Sequence, residues 1–209
     1  MIVRLQTGNW NQTLLKLSGQ VPVYIGEKRE TIRLFEDNRQ QIQATVTDLM
    51  APLQTQGAAL RDNDTALQNA MRQLVASYPF IELLYTLDEQ GIQRSENITV
   101  DRNLVVQRVA NHRGRDRSRR PYYQQAKEQS QLVITEPYIS MATCDYCISA
   151  AIRLDMDNGE HAGYAVADFN FDSLLNHVKK GAQKRRLINA AKIASVCAVG
   201  IGASALLLI

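Results

Sequence analysis

The feature that most restricts the fold is a long hairpin in the C-terminal half of the chain. Its arms run from Tyr146 to Asp155 and from Ala162 to Asn170, and Asp157-Asn-Gly159 joins them. An Asn-Gly pair favours a tight turn, because both residues tolerate the positive φ that hairpin turns require. The sequence therefore predicts two neighbouring antiparallel strands.

Further strands and short helices are predicted before this hairpin. The expected strands cover 80–87, 92–97 and 132–135, and the expected helices cover 104–110 and 121–129. The first two strands are joined by Asp88-Glu-Gln-Gly91, with Gly91 at the position that tolerates positive φ. Pro121 suits the first position of a helix, where a missing N–H costs nothing. An antiparallel sheet with helices before and within it is an α+β fold.

Residues 27–78 carry an apolar pattern typical of helices. The apolar positions share one alternating three-four register: Ile32, Phe35, Ile42, Val46, Leu49, Leu53, Leu60, Leu67, Ala70 and Leu74. Pro52 is expected to kink the first helix, and Arg61-Asp-Asn-Asp-Thr65 offers a break and an N-cap for a second. Such a face packs on the domain's own sheet or forms a coiled-coil seam with a second copy.

A basic and aromatic loop precedes the helix expected at 121–129. Five of the eight residues from Arg113 to Arg120 are arginine, and Tyr122 and Tyr123 follow. A guanidinium binds a carboxylate through two hydrogen bonds, and tyrosine supplies a rigid wall with a hydroxyl at its tip. The loop is therefore either a carboxylate-binding element or a solvated basic surface.

Three short motifs occur in an order that resembles a known family. They are Arg120-Pro-Tyr-Tyr123, Glu136-Pro-Tyr-Ile-Ser140 and Ala167-Asp-Phe169. Together they resemble the Cache (PDC, extracellular PAS-like) sensor domains of bacterial receptors, over roughly residues 28–178. The resemblance implies a PAS-like antiparallel sheet behind a long N-terminal helix.

The resemblance also implies a set of ligand-binding residues. In amino-acid-binding members, an Arg-x-aromatic-Tyr motif holds the ligand carboxylate, which points to Arg120, Tyr122 and Tyr123. A downstream tyrosine and a late aspartate hold the ligand ammonium, which points to Tyr138 and Asp168. Ser140 stands where the family pattern has an acidic residue. The implied ligand is therefore a small carboxylate-bearing molecule, an amino acid or an organic acid.

Two cysteines raise a second hypothesis. Cys144 and Cys147 form a Cys-x-x-Cys pair, but a strand rather than a helix is expected to follow it. A helix start is what usually lowers the pKa of the first thiol in a redox pair. A structural zinc ion would need two further ligands, and none of the three histidines has a suitable spacing. Packing, a disulfide or redox-sensitive pair, and metal binding all stay open.

Catalysis and nucleic-acid binding have little support in the sequence. The chain shows no glycine-rich phosphate loop and no nucleophile with a readable base, so neither an enzyme nor a cofactor is expected. Its positive charge is concentrated in two clusters, 102–120 and 179–186, rather than spread along one face as in a nucleic-acid binder. The second cluster fits a membrane-flanking segment.

The tail after residue 186 predicts a membrane anchor. Lys192 is the only charged residue of 187–209, and 17 uncharged residues follow it. That length is near the lower limit of a helical span. Ala194, Ala198 and Gly202 form a small-residue face on which two such helices could approach. A buried C-terminal helix is the alternative.

The basic residues at 179–186 predict the orientation of this anchor. By the positive-inside rule the sensor domain faces the cytoplasm at the bacterial inner membrane, with C-terminal, single-pass anchoring. The family's usual arrangement, outside the membrane, is the alternative. No basic segment followed by an apolar one is seen at the start of the chain, so no cleaved signal peptide is expected.

These observations predict a sensory module rather than an enzyme. Residues 1–26 form an extension of unknown role, 27–178 the sensor domain (27–78 helical, 80–178 sheet), 179–186 a basic flank and 187–209 a transmembrane helix. The module is expected to bind a small carboxylate-bearing ligand and to signal through its helices to a homodimer or a separate partner. A thiol redox sensor using Cys144 and Cys147 is the alternative function.

Overall fold

The computed structural model describes residues 21–56, 65–99, 112–129, 132–140 and 143–206, with side chains from 28 to 188. The helices are α1 (Val21–Gln54), α2 (Thr65–Ser77), α3 (Pro121–Glu128) and α4 (Phe171–Leu206). The strands are β1 (Ile81–Leu87), β2 (Val133–Ile134), β3 (Tyr138–Ile139), β4 (Tyr146–Asp155) and β5 (His161–Asn170). The helix expected at 104–110 and most of the N-terminal extension lie outside the described residues.

The strands form one antiparallel sheet in the order β1-β5-β4-β2, with β3 also paired to β4. The predicted hairpin is confirmed as β4 and β5, in which Ser149 lies opposite Asp168 and Ala151 opposite Val166. Leu83 of β1 faces Asp168 from the other side. This register places residues of three strands side by side on each face of the sheet.

Helix α3 covers one face of the sheet, which we call the α3 face. Side chains at alternate strand positions point to the same face, and this face carries Leu83, Tyr85, Leu87, Ala151, Tyr164 and Val166. They are buried together with Tyr122, Tyr123 and Ala126 of α3. Asp168 lies opposite Leu83 on one side and opposite Ser149 on the other, so Asp168 and Ser149 belong to the same face, at its end.

Aromatic contacts link β1, β5 and α4. The ring of Phe80 lies 4.9 Å from His177 and 6.4 Å from Phe169, measured between centroids. Helix α4 begins directly after β5, where the side-chain oxygen of Asn170 accepts a hydrogen bond from the Ser173 N–H at 3.1 Å. This is an N-cap, which satisfies one of the free donors at a helix start.

The return strand expected at 92–97 is not a regular strand. Isolated bridges join Leu87 to Gln93 and Leu84 to Ile98 instead. The reason is that the Thr86 N–H donates to the Ser95 side-chain oxygen at 2.9 Å rather than to a backbone carbonyl. A side chain thus replaces one rung of the ladder, and the segment stays beside β1 through separate backbone bonds, from the Arg94 N–H to the Thr86 carbonyl at 2.8 Å and in both directions between Leu84 and Ile98. The turn before it is as predicted, with Gly91 at a φ of +84°.

The N-terminal helices differ from the prediction in their limits. Helix α1 begins at Val21 rather than at 27 and ends at Gln54, so Pro52 lies in its last turn. Ile42, Val46, Leu49 and Leu53 of the predicted register are buried. In α2 the buried residues are Leu67, Met71 and Val75, whereas Ala70 and Leu74 are only half-buried. Because α2 is a separate helix, it need not continue the register of α1.

The contacts of the chain divide into two units. The first is Met1–Arg39, whose described part is the beginning of α1, with Glu30–Arg33 and Glu36–Arg39 pairs on its exposed surface. The second is Gln40–Ile209, which contains the rest of α1, the whole sheet and helices α2 to α4.

Helix α4 includes the basic flank, whose residues 179–186 are mostly exposed. The membrane span predicted at 187–209 lies outside the residues whose side chains are described, beyond Ile188. Within the described part of the chain, none of the helices combines the length and the apolar character needed to cross a membrane.

Candidate functional site

Two tyrosine hydroxyls meet beneath the start of α3. Pro121 is the first residue of this helix, and Arg120 before it is extended, with φ −76° and ψ 139°. The helix therefore starts with Tyr122 directed at β1. The Tyr85 hydroxyl donates a hydrogen bond to the Tyr122 hydroxyl at 2.7 Å, and both residues are buried. Burial is the main reason that the pKa of each phenol is raised.

A second group of side chains forms a hydrogen-bonded chain across three strands. The Ser149 hydroxyl donates to the Asp168 carboxylate at 2.6 Å. The Tyr138 hydroxyl lies 2.8 Å from the Ser149 oxygen. Although 39% of the Tyr138 residue surface is exposed, burial of its hydroxyl end raises the pKa of this phenol strongly. Strands β3, β4 and β5 thus place Tyr138, Ser149 and Asp168 together.

Asp168 is a carboxylate in an unfavourable setting. Burial raises its pKa above the ordinary value, and the Ser149 hydrogen bond and the charges of Arg117 and Arg120 oppose that rise. Glu82 lies nearby on β1, where it accepts hydrogen bonds from Asn170 at 3.2 Å and Thr143 at 3.3 Å. Burial also raises the pKa of Glu82, and the charge of Asp168 adds to the effect. The two carboxylates therefore form an acidic end of the site.

Arg117 is held at the basic end. Its Nε and one terminal nitrogen both donate to the Gln93 side-chain oxygen, at 3.1 and 3.0 Å. The guanidinium carbon lies 5.6 Å from the centre of the Tyr85 ring, within the range of a cation–π contact. Arg120 is exposed, and its charge opposes the rise that burial causes in the pKa values of Asp168 and Tyr122. Two guanidiniums thus act on the same carboxylate.

Tyr123 lies beside the site but is engaged elsewhere. Its hydroxyl donates to the Glu89 carbonyl oxygen at 2.8 Å, and its ring packs edge-on against Tyr164 with centroids 5.4 Å apart. A Cβ atom built on Gly91 would lie 2.9 Å from the Tyr123 ring. Tyr123 therefore holds the 88–91 turn against α3, and its neighbour Tyr122 faces the Tyr85 hydroxyl.

Ser140 takes part in the turn between β3 and β4. Its backbone N–H donates to the Asp145 carbonyl at 2.9 Å, and its carbonyl accepts from the Cys144 N–H at 2.8 Å. Ser140 is buried, and Cys144 has a φ of +62°. Ser140 is therefore a turn residue, two positions after Tyr138.

Both cysteines of the Cys-x-x-Cys pair are free thiols, Cys144 exposed and Cys147 buried. The Cys147 sulfur lies 3.6 Å from the Tyr138 hydroxyl, to which it donates. Burial raises the pKa of the Cys147 thiol well above its ordinary value. The geometry of Cys147 fits a packed polar contact better than the redox alternative.

Several residues of the site were not among the predicted ones. They are Glu82, Tyr85, Gln93, Arg117 and Ser149. Arg117 belongs to the basic loop, but its spacing did not distinguish it from its neighbours. The alternation of strand residues could have placed Tyr85 and Ser149 beside Asp168, had the register of the three strands been known. No local pattern signals Gln93, since its partner lies in another loop.

The fold is that of the ligand-binding, Cache-type sensor domains of bacterial chemoreceptors, as the sequence motifs suggested. The ligand-binding domain of the Campylobacter jejuni chemoreceptor Tlp3, in complex with 4-methylisoleucine, superposes with a TM-score of 0.50 at 12% identity. The match covers 78% of this chain and 65% of that domain. The chain therefore spans about two thirds of the length of that domain.

Two further sensor domains are similar at lower scores. The amino-acid chemoreceptor PctC of Pseudomonas aeruginosa, in complex with GABA, matches at 21% identity over 72% of this chain and 62% of its own, with a TM-score of 0.47. The Pseudomonas fluorescens chemoreceptor CtaA, in complex with L-isoleucine, matches at 24% identity over 73% and 58%, with a TM-score of 0.46. No family model matches the sequence. No curated protein matches it either.

Proposed function

We propose that the chain is a sensory module whose ligand is a small carboxylate-bearing molecule, with α-amino acids as the first class to test. The observation that carries this proposal is the convergence of opposite charges on the α3 face. Asp168 lies at the end of this face, and the positive charges of Arg117 and Arg120 oppose the rise in its pKa that burial causes. A zwitterionic ligand matches such a site, because each of its charges meets an opposite one.

In the proposed binding mode, Arg120 pairs with the ligand carboxylate. Its exposed guanidinium can reorient toward an incoming ligand, and a guanidinium binds a carboxylate through two hydrogen bonds. Tyr122 forms the wall beneath it, and Tyr123 supports that wall through its bond to the 88–91 turn.

The ligand ammonium is assigned to the acidic end. Asp168 would accept it, with Tyr138 alongside and Ser149 between them. A cation at this position offsets the cost of a buried carboxylate, which is the reason that Asp168 suits the role. Ser140 adjoins Tyr138 through the β3–β4 turn and completes the proposed set.

The wider role of the chain is also a proposal. Residues 27–178 would form the sensor domain, with 187–209 as an inner-membrane anchor preceded by the basic flank at 179–186. The ligand signal would pass through the helices to a second copy or a separate partner. The charge of the flank favours a cytoplasmic sensor domain, and a periplasmic one is the alternative. That the similar structures are ligand-binding domains of chemoreceptors supports a role in sensing and a non-enzymatic one.

A thermal-shift screen tests the proposal. The panel contains the standard amino acids, GABA, short organic acids and simple amines, because a ligand of the folded state raises the unfolding midpoint. We expect at least one amino acid to raise it, and simple amines without a carboxylate to have no effect. If amines alone raise the midpoint, the carboxylate clamp is wrong. If no compound does so at millimolar concentration, the proposed ligand class is wrong.

A further inference from the structure

Gln93 is an unusual residue for the interior of this sheet. It is fully buried, and every polar group of its side chain is hydrogen-bonded. Its nitrogen donates to the Ser95 carbonyl and the Asn97 side-chain oxygen, both at 2.9 Å. Its oxygen accepts from two nitrogens of Arg117. A buried amide with these partners has one orientation, since rotating it would leave its donors and its acceptor unpaired.

The backbone strengthens this arrangement. The Gln93 N–H donates to the Arg115 carbonyl at 2.9 Å, and its carbonyl accepts from the Gly114 N–H at 2.7 Å. The Arg117 N–H donates to the Gly91 carbonyl at 2.9 Å. The 91–98 segment and the basic loop are therefore joined on both sides of the Gln93–Arg117 contact. These bonds fix the backbone of Arg117, and the bonds to the Gln93 side chain fix its guanidinium.

The edge of the guanidinium that Gln93 uses determines what remains available. Gln93 accepts from Nε and the adjacent terminal nitrogen, which form the side edge of the group. The other terminal nitrogen, Nη1, takes no part in this contact with Gln93. The guanidinium lies over Tyr85, and Tyr85 neighbours the Asp168 position on the α3 face. The Arg117 guanidinium is thus held next to the proposed ligand site.

We infer that Gln93 is a positioning residue: it holds the Arg117 guanidinium over Tyr85 as a fixed cation near Asp168, the group proposed to meet a ligand ammonium. The two arginines then have different roles. Arg117 is held in place before the ligand arrives, and Arg120 closes on the ligand carboxylate. The inference rests on the proposed function for its use of Asp168, but its test requires no ligand.

Many groups act on Asp168, and the test has to separate Arg117 from them. The titratable and charged neighbours are Glu82 and Tyr85 of β1, Tyr138 of β3, Cys147 of β4, Tyr122 of α3, and Arg120. Of these, only the arginines favour the ionised carboxylate by their charge, and Arg117 has the larger effect on Asp168. Removing the Gln93 acceptor changes none of these groups chemically.

The experiment is a carboxyl-carbon NMR titration of Asp168 in the full chain. The variants are Gln93→Leu, Arg117→Gln and the double variant, with Asn97→Ala as the control. We expect Gln93→Leu and Arg117→Gln each to shift the Asp168 midpoint to higher pH, because the nearby positive charge is displaced or lost. The double variant should shift it no further than Arg117→Gln alone. Asn97→Ala removes a partner of Gln93 but not of Arg117, so it should leave the midpoint unchanged.

An unchanged midpoint in Gln93→Leu, or additive shifts in the double variant, would overturn the inference. A second measurement on the unaltered protein covers the case in which Gln93→Leu does not fold. The Arg117 Nε–H resonance should show slow hydrogen exchange and a high order parameter, and the Arg120 resonance should show neither. Equal mobility of the two guanidiniums would contradict a fixed Arg117. Neither result depends on finding a ligand, so failure here is distinct from failure of the proposed function.

Discussion

In the proposed site, Asp168 would contribute to ligand binding at the expense of stability. Its carboxylate lies near Ser149, Tyr138 and the hydrogen-bonded pair Tyr85 and Tyr122, and burial raises its pKa. A group with these properties binds a proton more tightly in the folded state than in the unfolded chain. The ionised form therefore destabilises the ligand-free domain, and a bound cation relieves that cost.

The first prediction is that Asp168→Asn stabilises the ligand-free protein at neutral pH. For an acid with a raised folded-state pKa, the favourable contribution is present below the ordinary value of 3.8 and is lost as pH rises through the folded value. Asparagine is neutral at every pH and can still accept the Ser149 hydrogen bond, so it avoids this loss. The unfolding midpoint of the variant should exceed that of the parent at neutral pH, and the difference should shrink toward acid pH.

Exposed Asp157, at the tip of the β4–β5 hairpin, supplies the control for this comparison. Asp157→Asn removes the same charge from the surface and should leave the midpoint close to that of the parent at both pH values. A lower midpoint for Asp168→Asn at neutral pH would show that the ionised carboxylate is net favourable in the empty site.

At the scale of elements, the contacts of the 88–98 segment are those that organise the site. This segment follows β1. Its Gly91 packs against the Tyr123 ring, its Gln93 side chain accepts hydrogen bonds from Arg117, and its Ser95 side chain accepts one from the Thr86 N–H. The segment pairs with β1 irregularly, because the Ser95 side chain takes the place of one backbone acceptor. An irregular segment, rather than a regular strand, therefore connects the basic loop to the sheet.

The second prediction concerns the turn of this segment. Gly91→Ala should destabilise the domain by about 1–3 kcal/mol, because the residue has a left-handed φ of +84° and its Cβ would meet the Ser118 backbone and the Tyr123 ring, both at 2.9 Å. Gly159→Ala is the matched control, since Gly159 has a φ of +79° and nothing within 4 Å of its Cβ position. Urea unfolding measures both, and equal losses would mean that the close contacts have no effect.

The sequence predicts local elements better than contacts between loops. The β4–β5 hairpin is encoded by its own turn, and α3 by Pro121, so both could be located in advance. The motifs also predicted Tyr122, Tyr138 and Asp168 as site residues, and the structure places their side chains on one face of the sheet.

What the sequence did not reveal depends on partners that are distant along the chain. Gln93 and Arg117 are separated by a long segment, and their bond exists only because two loops meet at the sheet edge. The separate roles of Tyr122 and Tyr123 depend on the rotation of α3, which brings Tyr122 to Tyr85 and Tyr123 to Glu89. Adjacent residues of one type cannot be distinguished without that rotation.

At the scale of the whole molecule, the proposal joins a ligand-binding domain to an anchor at 187–209. The third prediction is that the full chain fractionates with membranes and that a version ending at Gly181 does not. The reason is the apolar character of the tail after Lys192. Cell fractionation with immunodetection makes the comparison. Recovery of both versions in the soluble fraction would contradict the anchor and favour a buried C-terminal helix.

Orientation is a separate, fourth prediction. A reporter fused to the N-terminus should report a cytoplasmic location, because basic residues beside a span resist translocation. The basic residues of the flank are Lys179, Lys180, Lys184, Arg185 and Arg186. Alkaline phosphatase activity from the same fusion would contradict the predicted orientation, because it would show that the domain lies in the periplasm.

The measurement that tests the central claim most directly is calorimetric binding of two matched ligands to three variants. The ligands are the amino acid that gives the largest thermal shift and its 2-hydroxy acid counterpart. Arg120→Ala should weaken binding of both by about 2–5 kcal/mol, much of it from leaving the ligand carboxylate unpaired. Arg113→Ala, on the exposed outer part of the loop, should cost little, and Asp168→Asn should weaken only the amino acid. Equal small losses for Arg113→Ala and Arg120→Ala, or equal losses of both ligands in Asp168→Asn, would contradict the account.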